Sequence, residues 1–443
     1  MENQNKETAR IPYAEWSTED LRDARKAFRW DYGEFKARNK KLDMSRGKPC
    51  KEQLDLSMGM MDVLNSEADL MCREGVDCRN YGVLSGIREA RELLAAVNEV
   101  SPQDIMIYGN SSLNVMYDTV SRSMTHGVCG STPWCKLDSV KFLCPVPGYD
   151  RHFAICEHFG IEMIPIPMTV DGPDMDLVQR YVESDPAVKG IWCVPKYSNP
   201  QGYSYSDETV RRFAALNPAA EDFRIYWDNA YNVHHLYDEP EKQDVILEIL
   251  GECARAGHPD MVYKFVSTSK ISFPGSGVAA LATSQKNKDE IKAALAIQTI
   301  GFDKLNELRH VRFFKNLDGI KAHMKKHAAI LRPKFELVER IFEEELEGYG
   351  IGTFTRPRGG YFISFESLEG CAKKIVARAK AAGVTLTGAG AAYPYGRDPQ
   401  DTNIRIAPSF PSLEDLEEAA RLFVLCVKIE SIDKILEERG EQA

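Results

Sequence analysis

V-Y-K-F-V-S-T-S-K-I-S-F-P-G-S-G, Val262 to Gly277, runs from an apolar stretch into a turn of small hydroxyl residues and glycines. The apolar half reads as a strand and the polar half as the turn that leaves it. Lys270 then stands at a strand end where backbone is open to close approach, and a lysine so placed can form a Schiff base with an aldehyde. A solvated loop lysine is the plainer alternative, and the neighbouring stretches decide between the two.

The same rhythm repeats upstream. V-K-F-L-C-P, I-E-M-I-P-I-P-M, V-K-G-I-W-C-V-P and F-R-I-Y-W-D read as strands, and helical stretches at Met175–Glu183 and Asp207–Leu216 lie between them. Strands alternating with helices predict an α/β fold with a mostly parallel central sheet covered on both faces, whose ligands gather beyond the strand C-terminal ends. Those ends carry K-Y-S-N-P-Q-G with Asn199, D-N-A-Y with Asp228 and Tyr231, and S-T-S-K with Lys270. Each has a dull reading as turn former, cap or core residue. Three successive crossovers nevertheless deliver Asn199, Asp228 and Lys270 to one edge of one sheet. Further upstream, G-N-S-S at Gly109–Ser112 opens a helical pattern of Leu113, Met116 and Val120, and hydroxyls with free N–H groups at a helix start suit an anion.

Composition narrows the class. At 43% hydrophobic and 28% charged, the 443-residue chain is that of an ordinary globular protein with room for a substantial core. Its formal net charge of -10 argues against a nucleic-acid or anionic-membrane surface. No signal-peptide pattern opens it and no run reaches transmembrane length, so a cytoplasmic location is expected, with neither membrane nor nucleic acid as partner. The 11 cysteines are scattered and odd in number, which predicts reduced, mostly buried thiols and no metal site.

Taken together, these stretches resemble the fold-type I pyridoxal-phosphate aminotransferases of class I/II. The resemblance spans roughly Gly59 to Phe410 and implies the fold of that family, a large α/β domain plus a smaller α+β domain, with pyridoxal 5'-phosphate as cofactor. S-N-P-Q-G matches an Asn-Pro-x-Gly turn and implies that Asn199 meets the coenzyme 3-oxygen. D-N-A-Y matches the Asp-x-x-Tyr pair, with Asp228 at the pyridinium nitrogen and Tyr231 at the 3-oxygen. S-T-S-K implies Lys270 as the Schiff-base residue, with Ser267 and Ser269 toward the phosphate. P-V-P-G-Y-D-R-H places Tyr149 where a ring stacks on the coenzyme and His152 behind Asp228. Asn110, Ser111 and Ser112 fall on the phosphate loop, and Tyr81 in N-Y-G-V-L-S-G resembles the tyrosine that reaches the phosphate from a partner subunit, which implies a homodimer with shared active sites. N-I-R-I-A-P-S-F puts Arg405 at the substrate α-carboxylate, with Gly59 offering backbone beside it. The roles fit the chemistry: a carboxylate favours a protonated ring nitrogen, and an arginine offers a planar fork to a carboxylate.

One departure stands out. The family usually carries an arginine seven or eight residues after the lysine, clamping the phosphate, where this chain has Gly277 and Val278. Glycine N–H groups with Ser276 are the candidates to replace it. The departure points toward a divergent bacterial group of aspartate aminotransferases related to the aminotransferase domain of MocR-type regulators. L-Aspartate:2-oxoglutarate transamination by a ping-pong mechanism is the expected activity, on amino-acid and 2-oxo-acid substrates. Lys196, Arg151, Arg356, Arg358 and Lys304 are candidates for a side-chain carboxylate. An aromatic or other amino-acid aminotransferase, a pyridoxal-phosphate lyase or racemase, and a coenzyme-binding sensor without turnover are the alternatives.

The expected organisation is an N-terminal segment over residues 1–75 that packs on the small domain or a partner, a coenzyme-binding domain over 76–325 and a small domain over 326–443. A helix is predicted near Thr18–Trp30. Gln298, Thr299, Lys304 and Asn306 are candidates to face a partner's site, and Leu331, Phe335, Val338 and Phe342 mark a long helix.

Overall fold

The computed structural model describes residues 10–441. Its large sheet has eight strands in the spatial order Ile105–Ile107, Ala279–Ala282, Val262–Ser267, Arg224–Asp228, Val188–Cys193, Lys141–Val146, Glu162–Thr169 and Gly172–Pro173. The four pairings from Val262–Ser267 through Glu162–Thr169 are parallel, and the others are antiparallel. Every residue of the strands Val188–Cys193, Arg224–Asp228 and Val262–Ser267 is buried, which explains their nearly continuous apolar runs.

Successive side chains leave these strands toward opposite helix layers. Phe142, Trp192, Tyr226 and Phe265 pack with helices Ser112–His126 and Asp150–His158, while Leu143, Ile191, Ile225 and Trp227 pack with helices Met175–Ser184, Asp207–Ala214 and Ile249–Arg255. The Phe142 ring lies 5.6 Å from Trp192 and 5.3 Å from Tyr226, so truncating any one of them to alanine is expected to cost ~3–5 kcal/mol. Gly190 is required beside them, because a Cβ there would stand 2.5 Å from the Phe142 ring.

The second, smaller body has an antiparallel sheet, Gly352–Phe354, Ile363–Ser367 and Asn403–Ile406, packed against the helices Leu317–Glu345, Ala372–Ala381 and Leu413–Glu438. A parallel pair, Leu42–Asp43 with Val384–Thr385, ties the early chain to this body. The helix near Thr18 extends to Ala37, is capped by Ser17, and lies along Leu413–Glu438, where Arg25 and Arg29 meet Asp433 at 3.3 and 2.9 Å. The long helix starts at Leu317, well before its apolar repeat, and runs unbroken through residues 325 and 326. Its first half buries His323 and His327 in a polar network with Gln53 and Ser57. No helix among the described residues is long and apolar enough to cross a membrane.

Candidate active site

The parallel strands Val188–Cys193, Arg224–Asp228 and Val262–Ser267 are neighbours, so the turns that leave them converge. They enclose a cavity of about 260 Å³ whose walls include Tyr149, Asn199, Asp228, Tyr231, Ser267, Ser269 and Lys270. Ser111 and Ser112 close it from the start of helix Ser112–His126, and Gly47, Lys48 and Pro49 close it from the turn after strand Leu42–Asp43.

Lys270 donates to the Tyr231 hydroxyl at 2.9 Å and lies 4.3 Å from the centre of its ring. Burial pulls the amine below the usual lysine range, against the opposing pull of Tyr149 and Asp228. Burial likewise pushes the Tyr231 phenol up, with Asp228 adding to it, and holds Tyr149 at about 12. Asp228 is 3% exposed: its Oδ2 lies 3.1 Å from His152 Nε2, while its Oδ1 has no partner. The His152 ring stacks on Trp192 at 4.5 Å, which fixes the plane from which it holds the carboxylate.

Arg405 comes from the smaller sheet. Its Nη1 donates to Asp150 at 3.1 Å and to Asn199 Oδ1 at 3.2 Å, its Nη2 to Thr387 at 3.3 Å, and its buried Nε has no partner. The Phe362 ring supports the guanidinium at 4.8 Å. One edge of a fork is thus held in place with donor capacity left over, which suits a carboxylate. On the opposite side, Ser111 occupies the N-cap position of its helix without capping it, so its hydroxyl and the first-turn amides are free for an anion.

These residues fit pyridoxal 5'-phosphate. An orphaned buried carboxylate oxygen matches a protonated ring nitrogen, an amine lowered by burial matches an aldehyde, and an uncapped helix start among four serines matches a phosphate. The family model described as aspartate amino-transferase matches residues 16–439. This chain belongs to that family. It is a fold-type I pyridoxal-phosphate-dependent aminotransferase. A putative aminotransferase of Mycolicibacterium smegmatis is 45% identical over 408 residues, 92% of this chain and 95% of that protein. An aspartate aminotransferase of Corynebacterium glutamicum is 44% identical over 398 residues, 89% of this chain and 91% of that one. The crystal structure of an aspartate transaminase from Corynebacterium glutamicum superimposes with a TM-score of 0.93 at 41% identity, covering 96% of this chain and 99% of the other.

Not every expected residue lines the aminotransferase cavity. Gly59 is exposed in the turn Met58–Met61, where a Cβ would stand 3.3 Å from Phe313, and Gly47 is the glycine on the cavity wall. A Cβ on Gly47 would stand 2.5 Å from the Phe362 ring that supports Arg405. The local signal for it is R-G-K-P, Arg46 to Pro49, a glycine and proline turn inside the N-terminal segment expected only to pack on the small domain or a partner. Asn110 lines a separate groove of about 560 Å³, together with Arg151, Gln298 and Phe302. Tyr81 is 78% exposed on a loop outside the cavity of its own chain.

The expected cations also lie elsewhere. Lys196 is buried outside the cavity walls, Arg356 pairs with Glu343 at 3.0 Å and Glu347 at 3.2 Å, Arg358 stands 3.9 Å from Asp244, and Lys304 donates to the Gly82 carbonyl at 3.1 Å. Asn306 is buried against the turn after Lys270, donating to the carbonyls of Ser276 at 3.2 Å and Gly277 at 2.9 Å. Lys48, which sequence reasoning missed, is on the cavity wall, its ammonium 3.8 Å from the centre of the Phe410 ring.

Proposed function

We propose that the protein is an L-aspartate:2-oxoglutarate aminotransferase that runs two half-reactions through Lys270. The observation that carries this is one cavity walled by a desolvated amine and a half-partnered buried carboxylate, with a partly free arginine fork joined to its Asn199 wall at 3.2 Å. Pyridoxal phosphate, when bound, supplies the electron sink for the carbanion left at the substrate α-carbon. Asp228 Oδ1 would hold the ring nitrogen while His152 keeps the carboxylate oriented, Tyr149 would stack on the ring, and Asn199 with Tyr231 would meet the 3-oxygen. Ser111, Ser112, Ser267 and Ser269 would take the phosphate.

Arg405 receives the substrate α-carboxylate on Nε and its terminal nitrogens, which turns the α-hydrogen toward Lys270. Lys270 Nζ takes that proton and returns it, a task that suits an amine made less basic by burial. Lys48 is assigned to the side-chain carboxylate of aspartate. It lines the cavity and makes no ion pair among the described residues.

A homodimer with Tyr81 reaching the partner's phosphate site is part of this reading, supported by the exposure of Tyr81 at 78%, Ile297 at 91% and Ile300 at 61%. A cytoplasmic setting is supported by eleven cysteines that form no disulfide. Kinship with the aminotransferase domain of MocR-type regulators is supported by the Gly277 and Val278 departure alone.

The test is a half-reaction. Coenzyme-loaded protein mixed with L-aspartate, without an oxo acid, should release one oxaloacetate per site as the coenzyme absorbance changes. Oxo acid formed only from aromatic or aliphatic amino acids would replace aspartate as the substrate. An absorbance change with no oxo acid from any amino acid would sink transamination itself.

A further inference from the structure

We propose that Arg309, from a helix outside the sheet, is the cation that balances the coenzyme phosphate. The proposal rests on the pyridoxal-phosphate reading of the cavity. The serine wall offers hydrogen bonds but no charge, and the two lysines of the cavity are turned elsewhere, Lys270 to Tyr231 at 2.9 Å and Lys48 to the Phe410 ring at 3.8 Å. The turn after the lysine cannot supply one either. Val278 is buried at 3% in an apolar cluster, and a Cβ on Gly277 would stand 3.0 Å from the Asn110 carbonyl oxygen and 3.2 Å from the Ser269 amide. A phosphate dianion held by neutral groups alone forgoes the charge-assisted bonds that are roughly twice as strong.

Helix Lys304–Phe314 packs against this turn at both ends. His310 lies 3.0 Å from the Thr268 hydroxyl, 2.8 Å from the Ser272 hydroxyl and 2.8 Å from the Asn306 carbonyl. Burial holds its imidazole down to about 4, so at neutral pH it is a hydrogen-bonding strut without charge. Asn306 grips the Ser276 and Gly277 carbonyls. Between these two struts stands Arg309, whose Nη2 donates to Ser276 Oγ at 2.5 Å and also to Asn306 Oδ1. Its Nε is buried and has no partner. No carboxylate among the described residues pairs with it, so a half-buried guanidinium has only neutral acceptors. An anion is what this arrangement lacks. Ser276, which Arg309 holds, adjoins Gly277, and the Cβ position of Gly277 lies 3.2 Å from Ser269 Oγ on the serine wall.

The measurement is the affinity of protein stripped of coenzyme for pyridoxal 5'-phosphate and, separately, for pyridoxal, in the wild type, R309Q and R309M. Loss of the guanidinium should weaken pyridoxal phosphate by about 10- to 150-fold, the range of charge-assisted hydrogen bonds, and pyridoxal by less than about threefold. Equal weakening of both ligands would make Arg309 a packing residue and overturn the proposal, as would unchanged affinity for both. Failure of the wild type to bind pyridoxal phosphate would instead overturn the cofactor reading. Should both variants fail to fold, the crystal structure of the loaded wild type decides. A guanidinium nitrogen within about 3.5 Å of a phosphate oxygen is expected, and one more than about 6 Å away refutes the assignment.

Discussion

Replacing Arg405 with lysine separates charge from geometry at the point where substrate is expected to dock. The guanidinium is 9% exposed and held by Asp150, Asn199 and Thr387 at 3.1 to 3.3 Å, with Phe362 beneath it. Lysine keeps the charge but offers one point in place of a planar fork. At least one charge-assisted hydrogen bond to a bound carboxylate is lost, about 1.5–3 kcal/mol, or about 10- to 150-fold in affinity. The protein itself loses less. Asp150 is 35% exposed on its side chain, so water replaces its partner, and its pairing with Arg405 adds little to stability. R405K should therefore lower kcat/KM for aspartate by about 10- to 150-fold and raise the dissociation constant of a dicarboxylate analogue such as maleate in parallel, while the thermal midpoint moves by no more than about 2 °C. Maleate affinity within twofold of wild type, with only kcat reduced, would refute the assignment of Arg405 to the carboxylate.

The remaining predictions address specificity, backbone approach and pH. K48M should raise KM for aspartate about 5- to 30-fold, by loss of roughly 1–2 kcal/mol of carboxylate pairing, while leaving alanine turnover unchanged; equal loss for both substrates in steady-state assays would remove Lys48 from specificity. G47A should raise KM by displacing the Phe362 ring 2.5 Å from the new Cβ, whereas G59A, whose Cβ meets Phe313 at 3.3 Å, should stay within about twofold of wild type. The reverse ranking in the same assay would restore Gly59 to the site. His310 is held down to about 4 against an unfolded value of about 6.5, so the unfolded chain binds its proton first. Its contribution is complete above pH ~6.5 and is lost as pH falls toward 4, by about 3 kcal/mol in all. Thermal midpoints of wild type and H310Q should therefore converge between pH 7 and 4.5, and a constant gap would contradict a neutral buried imidazole.

Legibility in the sequence followed the range of the forces that place each residue. Asn199, Asp228 and Lys270 follow strands whose apolar runs are local signals, and a parallel sheet brings successive strand ends together without further information. Gly47 depends on the pairing of Leu42 with Val384, a contact no local pattern announces. Between Gly47 in a polar stretch and Gly59 behind a short apolar alternation, local sequence does not choose, and only the tertiary fold turns Gly47 toward Phe362. The early start of helix Leu317–Glu345 was hidden for a related reason: its first half shares the buried face between Ile320, Met324 and Ala328 and the hydrogen-bonded His323 and His327, which dilutes the apolar period by which buried helices are recognised.

Arg309 extends that argument to the phosphate side. In a sequence, a missing arginine beside the lysine reads as a missing charge, because the search runs along the chain. In the fold, Gly277 and helix Lys304–Phe314 are joined by hydrogen bonds: Asn306 binds the Gly277 carbonyl, and Arg309, three residues on, carries the guanidinium to Ser276. Enlarging position 277 alone would press the new side chain on the Asn110 carbonyl and the Ser269 amide, with Asn306 still gripping the backbone behind it. An arginine placed there would therefore crowd the Asn110 carbonyl and the Ser269 backbone, and the charge is carried better from the helix than along the turn.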